Sequence, residues 1–157
     1  MEDTVGFSIL GTVIAIAMLL PSMIIFTKFP PKHAVVEKSK LPKTFEILEK
    51  IGQAGCVASL VISKDYFVIE KINYFTLLMI ICIALYYALW IAYAIRGGDF
   101  SIMLKPLLFI PLPGAVLPVC AFIFAALWGQ CIWLGVSAIV LAAGHCTLSW
   151  ESYKRIQ

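Results

Sequence analysis

Uncharged apolar runs alternate with short charged stretches along the whole chain. The first run, Val5 to Thr27, is 23 residues long, enough to cross about 30 Å of hydrocarbon at about 1.5 Å per residue. Pro21 is expected to bend it near its far end. Residues 28–43 carry Pro30, Pro31 and Pro42 with Lys28, Lys32, Lys38, Lys40 and Lys43, which reads as a water-exposed loop. Thr44 can then cap a second helix with Glu46 in its first turn. In that helix Glu46, Glu49, Lys50 and Gln53 recur on one side, with Phe45, Leu48 and Ile51 on another. Its purely apolar part, Ile51 to Ser63, is 13 residues, so a re-entrant segment competes with a crossing that counts from Leu48. Gly55 and Ser59 offer a small-residue pair for close helix packing.

A short loop from Lys64 to Lys71, balanced by Asp65 and Glu70, leads to a third run, Ile72 to Ile95, with Tyr86, Tyr87, Trp90 and Tyr93 in its second half. Such residues near a span end mark the membrane interface or form a ring-lined wall. Arg96 to Asp99 makes a turn, and Gly129 and Gln130 separate the last two runs. The fourth run contains KPLLFIPLPGAVLP, which places Pro106, Pro111, Pro113 and Pro118 in apolar sequence. Each proline removes a backbone donor, so this helix must kink or break, and its freed carbonyls call for burial inside the bundle. The fifth run carries Gly135, Ala138 and Ala142 as a close-packing face. The expected fold is an all-α integral membrane protein, a single domain over 1–157. It is a five-transmembrane-helix bundle with spans at about 5–27, 45–63, 72–95, 101–128 and 131–150 and a proline-kinked fourth helix.

Composition agrees with this pattern. Only 13% of the 157 residues are charged and 62% are hydrophobic, against about a quarter charged in soluble domains. The net charge of +3 comes from loop residues rather than a basic domain, so nucleic acid is not an expected partner. With five spans, ten Lys and Arg residues fall on one side and only Lys64 and Lys71 on the other. This bias puts the N-terminus outside and the C-terminus in the cytoplasm of a multi-pass cell-membrane protein. A re-entrant second segment would largely remove the bias, so five spans is the expected count. Met1 to Thr4 lack the positive charge of a signal peptide, so the first span is expected to be retained. The five cysteines lie in apolar runs without CxxC spacing, which suggests packing thiols and neither a metal site nor a cofactor.

This topology brings polar groups to one depth near the cytoplasmic leaflet. Glu49 and Gln53 arrive on the second span, Lys105 on the fourth, and His145 and Ser149 on the fifth. Ser22 and Thr27 on the first span, and Trp90 and Tyr93 on the third, reach the same level. An intramembrane ionisable group is costly and marks a functional position with a partner, here Glu49 with His145 or Lys105. The candidate ligand-binding set is Glu49, Gln53, Trp90, Tyr93, Lys105, Pro111, Pro113, His145 and Ser149. In the competing structural reading, Glu49 and Lys50 lie among headgroups, Lys105 snorkels, and His145 bonds a carbonyl freed by a proline. No catalytic residues are assigned, because GxSxG, HExxH and phosphate-loop patterns are all missing.

The segments FTKFPPKH, EKIGQAG, YYALWIAY and RGGDFSIMLKPLLFIPLPGAVLP resemble small multispanning membrane proteins of unknown function from Gram-positive bacteria. That resemblance implies the fold and no activity. The translocator-protein family of tryptophan-rich sensors is similar in architecture alone, since its tryptophan-rich first loop has no counterpart here. The leading functional expectation is a pocket that binds or moves a small amphipathic or lipid-like molecule. An accessory subunit packed on a membrane-protein partner, or a homo-oligomer, is the alternative. A membrane enzyme acting on a lipid-soluble substrate comes third.

Overall fold

A computed structural model describes residues 5–31, 40–64 and 72–156. Met1 to Thr4, Lys32, Lys38, Asp65, Glu70 and Lys71, used above for the signal-peptide reading, the loops and the charge bias, lie outside the described residues. Among the described residues six helices follow in order: α1 Ile9–Lys28, α2 Lys43–Ile62, α3 Tyr74–Ile95, α4 Ser101–Leu104, α5 Pro113–Gly129 and α6 Ile132–Arg155. Three of them, α1, α3 and α6, are long and apolar enough to cross a membrane. The 20-residue α2 carries Lys43, Glu46, Glu49 and Lys50 near its start, and α5, at 17 residues, is about 25 Å long.

Helix ends are closed by groups from neighbouring segments. Ser8, fully buried, caps α1 by accepting from the Gly11 N–H at 2.9 Å. The Gly6 and Ser8 N–H groups donate to the Ile62 and Val61 carbonyls at the end of α2, at 2.7 and 2.8 Å. These contacts satisfy orphan carbonyls and set α1 antiparallel to α2. Asn73 starts α3 with a capping box completed by Thr76. Within α1, Pro21 has no N–H to give to the Ala17 carbonyl. The Tyr87 hydroxyl of α3 donates to that carbonyl instead, at 2.8 Å.

Instead of one proline-kinked helix, the 101–128 segment is a helical turn, a loop and a second helix. Pro106 and Pro111 bias the residues before them away from helical angles. Between them, Leu107 and Ile110 exchange two backbone hydrogen bonds, at 3.0 and 2.9 Å. Leu108 and Leu112 adopt left-handed conformations, with φ of 54° and 49°. Pro113 then sits at the start of α5, where its missing N–H costs nothing. Burial of the proline stretch is thus divided. Lys105 to Phe109 and Pro111 are exposed, whereas α5 is buried on most of its circumference and forms the centre of the bundle.

Around α5 the most extensive packing is α2 on α6, then α3 and α6 on α5. The α2–α6 contact depends on Gly52 and Gly144. A methyl group at Gly52 would strike the Leu141 backbone, and one at Gly144 the backbone of Phe45 and Glu49. Gly55 takes part too, facing Ser137. These contacts make α2 and α6 antiparallel, with the start of α2 beside the end of α6. One end of the bundle therefore gathers Lys28, Lys40, Lys43, Arg96, Lys105, Lys154 and Arg155, and Lys64 lies at the other.

Candidate functional site

All six helices contribute to a partly open cavity of about 200 Å³ beside the first turns of α5. Glu49 and Gln53 of α2 and Leu141, His145 and Ser149 of α6 form one wall. The Gly144 contact that draws these helices together also sets the side chains of Glu49 and His145 face to face. His145 Nδ1 lies 2.5 Å from Glu49 Oε1, and each side chain is 30% exposed. With the carboxylate ionised, Nδ1–H is the donor in this bond and Nε2 is left for a further one.

Aromatic rings make the opposite wall. Phe26 of α1 meets Trp90 of α3 edge to face at 5.2 Å, and Tyr86 meets Trp90 the same way at 6.1 Å. Phe100 closes the row. Trp90 is only 4% exposed, yet its indole Nε1 has no hydrogen-bond partner among the described residues. The Tyr86 hydroxyl approaches both Ser22 and Trp90, but no bond of ordinary geometry closes on the indole. A buried donor left this way costs about 1–3 kcal/mol.

The floor comes from α5. Gly114, Ala115, Pro118 and Phe122 line it, with Met103 and Leu104 of α4 alongside. Pro118, inside the helix, cannot serve the Gly114 carbonyl, so a backbone acceptor borders the same space. Among the described residues, no group of three or more His, Cys, Asp or Glu side chains could hold a metal ion. All five cysteines are free.

Of the nine residues singled out in the sequence, Glu49, Gln53, Trp90, His145 and Ser149 line the cavity. Tyr93 does not: it is fully buried behind Trp90, and its hydroxyl donates to the Phe29 carbonyl at 2.7 Å. Pro113 is buried one residue before the lining begins. Lys105 and Pro111 are on the exposed turn and do not line the cavity. Phe26, Phe100 and Pro118 were missed. Phe26 was within reach of pattern reading, because it follows Ser22 by four residues and so shares its helix face.

Other polar contacts lie outside the cavity. Glu151 accepts from the Lys40 N–H at 2.7 Å and pairs with Arg155 at 2.5 Å. The Asp99 carboxylate accepts from the Ser101 N–H at 3.0 Å. Hydrogen bonds from the Ser101 side chain and backbone hold the Asp99 carboxyl below its ordinary range.

The described residues define a helical fold of membrane type, with three helices long and apolar enough to span a bilayer and a partly open polar cavity beside them. Comparison with known families, with curated proteins and with solved structures finds no match to the chain.

Proposed function

We propose that the chain is a multi-pass protein of the cell membrane that binds or moves a small amphipathic or lipid-like molecule in this cavity. In this reading α1, α2, α3, α4 with α5, and α6 make five crossings. The N-terminus is outside, the basic end faces the cytoplasm, and the cavity lies at the depth of the cytoplasmic leaflet. The alternating helix directions and the gathering of seven described Lys and Arg residues at one end support it.

The observation that carries the proposal is a cavity with two unlike walls, one bearing Glu49 and His145 and the other an aromatic row with an unpartnered indole N–H. Protein interiors pack densely. A partly open space of about 200 Å³ is large enough to hold several water molecules or a small ligand. Ala115 is a small side chain on its lining. Native mass spectrometry of the protein released from mild detergent tests the proposal. A bound small molecule is expected, and Ala115→Leu should displace it without loss of fold. Bare protein throughout, unchanged by adding a lipid extract, refutes ligand binding.

A second reading, an accessory subunit of a larger membrane complex, is favoured by one feature. Leu108 and Phe109 are 87% and 97% exposed at the tip of the 107–110 turn. A stoichiometric protein partner in the same spectra would select this reading.

A further inference from the structure

Resting on the reading of the cavity as a binding site, we infer that its ligand is an amphipathic organic cation: a protonated or quaternary amine whose nitrogen sits against Glu49. The lining includes one carboxylate, Glu49, and neither Lys nor Arg. His145 engages Oε1 of that carboxylate, and no described residue bonds Oε2. One oxygen is therefore open to a cationic head, while Nδ1–H of His145 keeps the carboxylate oriented. Facing it are the rings of Phe26, Tyr86, Trp90 and Phe100, whose negative faces attract ammonium groups and do so more strongly when water is excluded.

An anion finds neutral donors here, such as the Trp90 N–H, but no Lys or Arg. A helix N-terminus normally favours negative charge, and α5 begins at the cavity. However, the Ala115 and Val116 N–H groups are both spent on the Leu112 carbonyl, at 2.8 and 2.9 Å, and Pro113 has none. An anionic head would also face Glu49 directly. The unpartnered Trp90 N–H suits an oxygen acceptor a few bonds from the nitrogen, such as a hydroxyl or ester. A volume of 200 Å³ is roughly seven waters at about 30 Å³ each, which accommodates a trimethylammonium-sized head and a ring or short chain.

Isothermal titration of the purified full chain in nanodiscs, with three probes of one shape, tests the assignment: benzyltrimethylammonium, benzyl alcohol and benzoate. The cation should bind at least tenfold more tightly than the alcohol, and benzoate should give no heat. Glu49→Gln should erase the preference, and Glu49→Asp, which keeps the charge, should retain most of it. Matching elution profiles and circular dichroism would show both variants folded. Equal binding of cation and alcohol, unmoved by Glu49→Gln, overturns the cation assignment and leaves the binding-site reading standing. No heat from any probe, with a native mass spectrum showing bare protein, overturns both.

Discussion

Tyr87 is placed to satisfy the carbonyl that Pro21 abandons, and this makes a quantitative prediction. Tyr87→Phe deletes one hydroxyl and leaves the Ala17 carbonyl, now bonded at 2.8 Å, without that donor. A net hydrogen bond is worth about 0.5–1.5 kcal/mol, and interhelical ones in bilayers average about 0.6 with a maximum near 1.7. The expected loss is about 1 kcal/mol, roughly fivefold in the folding equilibrium. In a Pro21→Ala background the backbone N–H restored at that position can close the ordinary helical bond to Ala17, so the same Tyr87→Phe change should cost less than about 0.5 kcal/mol. Reversible unfolding in mixed micelles, followed by tryptophan fluorescence, reads all four corners of the cycle. Tyr93→Phe is the control: its partner, Phe29, belongs to the end of α1, so its cost should be the same with or without Pro21. An equal penalty for Tyr87→Phe in both backgrounds would refute the account, because tyrosine at 87 would then act through packing and not through the orphaned carbonyl.

Other expectations follow from the same coordinates. Gly144→Ala should lower stability by about 1–3 kcal/mol, since the added methyl meets backbone that cannot swing aside. Gly135→Ala, whose methyl would rest 3.8 Å from Ala126 Cβ, should be nearly neutral in the same unfolding assay. For Asp99 the sign is set by its lowered titration: the stabilisation is complete above the ordinary carboxyl value of 3.8 and disappears as pH falls through the lower folded value. The difference in thermal midpoint between wild type and Asp99→Asn should therefore be flat from pH 5 to 7 and close on further acidification, and a difference that widens would contradict it. In a cysteine-free chain, Val5→Cys should react with an impermeant maleimide on intact cells, and Ile156→Cys only in inverted vesicles. Labelling of both from one side would rule out an odd number of crossings.

The helical segments were legible because hydrocarbon imposes a simple demand, long uncharged runs with internally bonded backbone. Which way each helix turns was not. The stripe Phe45, Leu48 and Ile51 does not act as one buried face: Phe45 and Leu48 are half-buried and Ile51 is 59% exposed. Polar Glu49 is half-buried at the cavity, Gln53 lies at its exposed edge, and the tightest contact with α6 falls to Gly52. The pairing of Glu49 with either His145 or Lys105 could be narrowed only by the break between α4 and α5. That break carries Lys105 outward on the turn. The rings of α3 escaped the usual expectation of an interfacial belt for a similar reason. Tyr86, Trp90 and Tyr93 recur at four and three residues on one face and are buried, and Tyr93 is committed to the Phe29 carbonyl just before Pro30.

Several departures from local rules lie at or beside the cavity, while the left-handed Leu108 and Gln130 lie away from it. Leu112 holds a left-handed conformation, which costs an ordinary residue about 1–2 kcal/mol. It is only 6% exposed and packs with Leu104 and Ala115. This strained residue ends the turn and starts α5 deep in the bundle, so that Gly114 and Ala115 reach the cavity floor. One turn later Pro118 interrupts the helix ladder, across the cavity Trp90 keeps an unused N–H, and a half-buried Glu49 faces them. Sequences satisfy local and global preferences together except where function requires otherwise. Four such exceptions around one 200 Å³ space make the cavity, rather than the longer apolar helices, the place where this chain departs from what packing alone would select.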